Sequence, residues 1–235
     1  SNMVRDGAEW IDIGGESTRP GSTPVNPSEE ARRVVPVVEA VRSALPDVCI
    51  SIDTRRASVA LAALNAGADM VNDVSALSDP RMVGVVSENG CPVCIMHMQG
   101  LPENMQDNPL YGDVVTEVRG VLNEAARRLF DAGVAPEMVI ADPGIGFGKG
   151  LEHNLTLLAA GRGVVPHPQM PLMWGVSRKT MFHHLLDRED THTRLAGTLG
   201  VAAKSVALGV DIIRVHDVAE HTDMFAAMSA LDVSG

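Results

Sequence analysis

Short apolar runs recur along this chain, and each ends in polar or charged residues. The runs cover residues 10–13, 48–54, 70–74, 92–98, 138–142, 172–176 and 211–216. They read as continuous hydrophobic stretches rather than period-two patterns, which predicts strands buried on both faces. Helical spacing fills the intervals. Ser28 is a plausible N-cap before Glu29 and Glu30, with Val34, Val38, Val41 and Leu45 as the buried stripe; Pro36 should kink that helix or mark its regular start. Further helices are expected over 55–65, 80–88, 151–160, 194–208 and 219–231. Another carries Val115, Val118, Leu122, Ala125 and Leu129 and stops at Gly133. Strand and helix alternate, and the polar residues collect at strand C-terminal ends. That is the pattern of parallel β/α units in a barrel with its site on the top face. The count is seven strands where a closed barrel needs eight.

Composition narrows the class. The 235 residues carry a formal net charge of -11 and 45% hydrophobic residues, so a general nucleic-acid surface is not expected and an anion site must be a local cluster. Arg19, Lys179 and Arg214 are the candidates. No run of about 18 apolar residues suggests a membrane span. Three cysteines without a secretory signal point to a reducing compartment. Cys91 and Cys94 form a C-x-x-C, but no second Cys/His pair at zinc spacing accompanies them, and they read as structural thiols. Residues 1–3 read as a cloning remnant, and 4–235 as one domain.

The most informative stretch is MVIADPGIGFGKGLEHN, 138–154. An apolar run delivers Asp142 to a turn through Pro143, Gly144, Gly146 and Gly148. It is neither a Walker A loop nor a dinucleotide fingerprint, because the glycines and the Ser/Thr fall in the wrong places. A tight turn alone would explain the glycines but not the acid. Asp53, Asn72 and Asp142 end three different strands; converging at a barrel mouth, they would suit a flat heterocycle rich in N–H groups. The competing reading is that each acid pairs with a neighbouring Arg or Lys. Arg214 and His216 stand two apart on the last run, beside Ser177, Arg178 and Lys179 after the preceding one, where barrels commonly bind phosphate. A Schiff-base role for Lys179 is the rival chemistry. His97 reads as filling a strand position rather than binding metal, and His183–His184 as surface.

Seven ordered motifs, IDIGGESTRPG, SIDT, NDVS, IMHMQG, DPGIGFGK, GVSRK and IRVHDV, resemble the dihydropteroate synthase family from Val4 onward. The resemblance implies an α/β TIM (β/α)8 barrel, here with about seven strands. It implies a cytoplasmic transferase of folate biosynthesis, condensing 6-hydroxymethyl-7,8-dihydropterin pyrophosphate with para-aminobenzoate and targeted by sulfonamides. By motif, Asp53, Asn72, Asp142 and Lys179 would bind the pterin, with Met98 and Phe147 lining its pocket or the adjoining channel. Arg214 and His216 would hold pyrophosphate, and Thr18, Arg19 and Pro20, with Phe147, would form the aminobenzoate subsite. Asp142, Lys179, Arg214 and His216 carry the chemistry. Magnesium is implied as cofactor, and a homodimer through late helices as the assembly, with no nucleic acid or membrane partner. The family's first strand, an N-V-T-P-D-S-F-S-D-G-like segment with an Asn that helps bind magnesium, is not found, so no metal ligand is assigned. This predicts a truncated, catalytically impaired synthase with exposed sheet edges. The alternatives are a non-catalytic pterin-binding paralogue and a pterin-dependent methyltransferase of the same superfamily.

Overall fold

The computed structural model describes residues 2–18, 21–100 and 104–232. Its strands are β1 (Trp10–Gly14), β2 (Cys49–Asp53), β3 (Met70–Asp73), β4 (Val93–Met96), β5 (Val139–Asp142), β6 (Met173–Trp174) and β7 (Ile212–Ile213). The helices are α1 (Asn2–Arg5), α2 (Pro27–Ala44), α3 (Ala57–Asn65), α4 (Met82–Asn89), α5 (Val114–Asp131), α6 (Leu151–Ala160), α7 (Met181–Leu186), α8 (Leu195–Ser205) and α9 (Val218–Asp232). All pairings are parallel. The first five strands form one sheet in sequence order, β6 pairs with β7, and a bridge between Ala141 and Leu172 joins the two groups. The sheet therefore runs from β1 to β7 in chain order, as in a (β/α)8 barrel with about seven strands. Among the described residues β7 and β1 do not pair, so a seam stands open between them.

Alternation along each strand sorts the core into two compartments. Ile13, Ile50, Ile52, Val71, Val93, Ile95, Val139 and Trp174 face the helices, where they meet Val34, Val38, Val118, Leu122 and Leu129. Met70, Cys94, Ile140 and Met173 fill the barrel interior, with Cys49 and Ile212 against them. The inward positions one step further along β2, β3 and β5 are Asp53, Asn72 and Asp142. The apolar plug thus forms the floor of a polar mouth, and the strand period carries each polar group to it. The C-x-x-C divides between compartments: Cys91 joins the outer core and Cys94 the interior, both free, their thiols pushed up by burial.

Some boundaries moved. The N-cap of α2 is Asn26, not Ser28: Asn26 accepts from the Ser28 amide at 2.9 Å, and Pro27 takes the first helical position. Pro36 lies inside α2. The last two strands are short, and beyond them the Arg214 amide still donates to the Trp174 carbonyl at 3.0 Å. The 194–208 segment is an α-helix flanked by 3-10 turns. Helix α7 carries the His183–His184 pair; His184 is exposed while His183 is half-buried, so only the former is simply surface.

Candidate active site

At the mouth, the sequence-selected residues meet through one that was not selected. Asp12, in the middle of β1, turns inward; its Oδ2 accepts from Arg214 Nε at 2.7 Å and from Asn72 Nδ2 at 3.1 Å. Arg214 Nη2 reaches Asp53 Oδ2 at 3.4 Å. Asp53 and Asn72 are register partners on adjacent strands. Asp12, Asp53, Asn72 and Arg214 are therefore one cluster, tying the strands on either side of the seam. The signal for Asp12 was available: an acid inside the apolar run WIDI has to point into the barrel if its neighbours Ile11 and Ile13 face the helices. Its other oxygen, Oδ1, is buried without a hydrogen-bond partner.

Electrostatics follow from crowding acids at a dry floor. Burial, then the Asp12 carboxylate, pushes Asp53 up to about 8 against the pull of Arg214. Asp142 is also raised by burial, opposed by the Gly144 amide, which donates to its Oδ1 at 2.7 Å, and by Lys179 and Lys149. Lys179 is lowered to about 8, burial outweighing attraction to Asp142. Its ammonium stands 4.1 Å from the centre of the Phe147 ring, a cation–π contact. Asp53 and Lys179 thus both titrate near physiological pH.

The phosphate-side residues divide. His216 Nδ1 lies 2.9 Å from Ser177 Oγ, and the His216 amide donates to the same oxygen at 3.2 Å. Arg178 does not join them. Its guanidinium forks onto Asp217, with Nε to Oδ2 at 3.0 Å, and this pair ties the loops after β6 and β7 together. Met98 is half-buried just beyond β4.

The loop bearing Thr18 is anchored by groups that the sequence reading passed over. Glu16 Oε2 accepts from the Val25 amide at 2.6 Å and from Arg56 Nη2 at 2.8 Å, while Oε1 takes Arg55. Arg56 also pairs with buried Glu30, which accepts from Thr54 Oγ1 at 2.6 Å. One carboxylate thereby pins both ends of the 17–24 stretch. Thr18 is half-buried there; Arg19 and Pro20 lie outside the described residues.

The 143–150 turn is held almost completely by side chains. Gln106 Nε2 donates to the Gly146 carbonyl at 2.7 Å, the Tyr111 hydroxyl to that of Gly148 at 2.8 Å, and Asn154 Oδ1 accepts from the Gly146 amide at 2.7 Å. Lys149, 3% exposed, folds beneath the turn toward His97. Gly144 has φ of 69°, and a Cβ there would overlap the His97 carbonyl oxygen. Only glycine fits that approach.

A parallel barrel whose mouth gathers Asp53, Asn72, Asp142 and Lys179 has the architecture of the pterin-binding enzymes. The family model described as "Pterin binding enzyme" matches residues 1–216. Within that class the similarity is specific. The dihydropteroate synthase of Escherichia coli (strain K12) is 43% identical over 228 residues, spanning 97% of this chain and 80% of that protein. The Yersinia pestis dihydropteroate synthase, solved with a sulfonamide drug, superposes with a TM-score of 0.93 at 41% identity, covering 99% of this chain and 84% of that one. The Burkholderia cenocepacia enzyme complexed with 7,8-dihydropteroate gives 0.92 at 42%, covering 99% and 85%. The chain belongs to the dihydropteroate synthase family, and is a transferase of that kind.

Proposed function

We propose that this chain joins 6-hydroxymethyl-7,8-dihydropterin pyrophosphate to para-aminobenzoate, releasing pyrophosphate and forming 7,8-dihydropteroate. The observation that carries this reading is the meeting of Asp53, Asn72 and Arg214 around Asp12, with Asp142 and Lys179 in electrostatic reach of each other at the same mouth. Carboxylates and an amide at the barrel floor offer acceptors and a donor for the edge of a pterin ring. Phe147 supplies an apolar wall, and Met98 a flexible one. Arg214 and His216 bind the pyrophosphate. Thr18, with Arg19 and Pro20, forms the aminobenzoate subsite.

In the reaction the bond from the pterin methylene carbon to the pyrophosphate oxygen breaks early, and the electron pair leaves with pyrophosphate. Arg214 favours departure by holding the anion with its guanidinium. The cationic methylene is stabilised by the pterin ring and the Asp142 carboxylate. The arylamine nitrogen attacks it, forms the carbon–nitrogen bond and loses a proton. Lys179 stays noncovalent, so no Schiff base is involved.

Magnesium, the cofactor expected of the family, is a hard cation that takes most of its ligands from phosphate oxygens and water. Among the described residues no group of three or more His, Cys, Asp or Glu is arranged to hold an ion. No step above runs through the metal. No described helix is long and apolar enough to cross a membrane; we place the chain in the cytoplasm, acting as a homodimer.

Calorimetry with the pterin pyrophosphate, with and without magnesium, beside a version carrying the family's first strand, tests the reading. Binding followed by turnover on adding aminobenzoate is expected of at least the extended form. Absence of binding in both would overturn the synthase assignment. Binding without aminobenzoate capture in the presence of pyrophosphate would indicate the non-catalytic paralogue instead.

A further inference from the structure

Lys149 is a buried cation near the mouth, and its hydrogen-bond partners among the described residues are carbonyls and a ring nitrogen. Its ammonium donates to the Phe147 carbonyl at 2.9 Å, the Gly144 carbonyl at 3.0 Å and the His97 carbonyl at 3.3 Å, and lies 2.8 Å from His97 Nδ1. Four acceptors share three N–H bonds; burial pulls the ammonium down to about 7, opposed by the nearby Asp142 carboxylate. Those acceptors come from two loops, the one after β4 and the one after β5. His97 Nδ1 can accept only in the neutral ring, and burial with the adjacent ammonium pushes His97 down to about 3. The ring therefore stays an acceptor across the working pH range.

Each residue that Lys149 grips is one step from the candidate site. Gly144 donates its amide to Asp142 Oδ1. Phe147 places its ring under the Lys179 ammonium. The His97 amide donates to the Asp142 carbonyl at 3.2 Å, extending the β4–β5 ladder. Turning the Gly144 and Phe147 carbonyls inward also fixes those peptide planes, because each is a trans unit whose next N–H points the opposite way.

We propose that Lys149 is a positioning residue for the pterin pocket: by stapling the loops after β4 and β5 from below, it aims the Asp142 carboxylate and the Phe147–Lys179 pair without touching the ligand. The inference rests on the pterin-binding reading above for its consequence, and on the hydrogen bonds alone for its geometry. An uncharged, shorter side chain leaves three buried carbonyls under-satisfied and frees both loops to drift. Misplacement on the scale of an ångström is worth roughly 10- to 100-fold in an organised site.

The test is Lys149→Ala, with affinity for the pterin pyrophosphate read by calorimetry. A loss of at least about 10-fold is expected. Added propylammonium, which replaces the missing stem and charge, should recover about threefold or more, whereas 1-propanol, which fills the space without the ammonium, should not. Affinity within about twofold of the parent, or equal recovery by propanol, overturns the proposal. Should Lys149→Ala fail to fold, His97→Leu against His97→Asn reads the same contact from the other side. Leu removes the acceptor and should weaken binding about fivefold or more; Asn keeps an acceptor and should stay within about threefold. Equal affinities for the two overturn the proposal. If the parent chain itself binds no pterin, the reading under Proposed function fails, and the staple is judged on amide exchange. Residues 143–150 should then exchange about tenfold faster in Lys149→Ala, with α5 unchanged, and slow again with propylammonium. Unchanged exchange there overturns the inference.

Discussion

Replacing Gly144 with alanine should cost far more than replacing another glycine of the same backbone conformation, and the difference measures how tightly the two loops approach. Gly90 is the control: its φ is 58°, and nothing lies within 4 Å of the position where its Cβ would stand. Gly90→Ala therefore pays only the left-handed backbone penalty, about 1–2 kcal/mol. At Gly144, with φ of 69°, the same penalty applies, but the new methyl overlaps the His97 carbonyl oxygen and sits 3.0 Å from its carbon. Neither atom belongs to a flexible side chain, so the His97 peptide has to move by about an ångström in a close-packed interior. That displacement threatens the His97–Asp142 ladder bond and the two carbonyls that Lys149 holds on His97 and Gly144. At about 1 kcal/mol per bond, the loss is a further 2–3 kcal/mol. The expected totals are about 3–5 kcal/mol for Gly144→Ala and about 1–2 for Gly90→Ala. Urea unfolding at neutral pH, with slopes checked for equality, reads both. A gap below about 1 kcal/mol would show that the loops yield freely and that the close approach is not a constraint.

Stability should also depend on pH through the mouth. Asp53 is raised to about 8, so between pH 4 and 8 the native state holds a proton that the unfolded state has lost, and stability falls as pH rises. Lys179, lowered to about 8, does the reverse between pH 8 and its ordinary value, and a trough near pH 8 results. Asp53→Asn should therefore stabilise the fold by an amount on the order of 2 kcal/mol at pH 8 and little at pH 5, while abolishing pterin binding; an equal effect at both pH values would refute the assignment. Arg56→Ala leaves the buried Glu30 without its cation, while Glu16 keeps Arg55, and should cost about 3–5 kcal/mol in urea unfolding; a loss under 1 would show the network is only solvated surface. Phe147→Leu removes the ring beneath Lys179 and should weaken pterin binding by about 1 kcal/mol, seen in calorimetry as a shift in Kd; an unchanged Kd would place the ring outside the pocket.

Much of this was legible because strand burial and strand ends obey a period that a sequence displays. Asp53, Asn72 and Asp142 each close an apolar run, and parallel register brings them to one rim. What escaped notice was set by tertiary approach. Asp12 sits within its run rather than at the end, and only the inward phase of β1 reveals it. Lys149 looked like the tail of a glycine turn because nothing local shows that its stem folds under the loop toward a histidine 52 positions earlier. Arg178 was expected beside the anion site, and its guanidinium is taken by Asp217, 39 positions later.

The bond between Arg214 and Asp12 spans the seam between β7 and β1, where no backbone ladder among the described residues closes the wall. Under the function proposed above, the latch and the anion receptor are one guanidinium. Any ligand that recruits Arg214 must share it with, or take it from, the carboxylate across the gap, and reciprocity requires that tightening the latch weakens the ligand by the same factor. Salt, which screens this half-exposed pair more readily than a buried one, would ease the latch before it touches the core. On that proposal, occupancy of the mouth and closure of the wall are two readings of a single equilibrium.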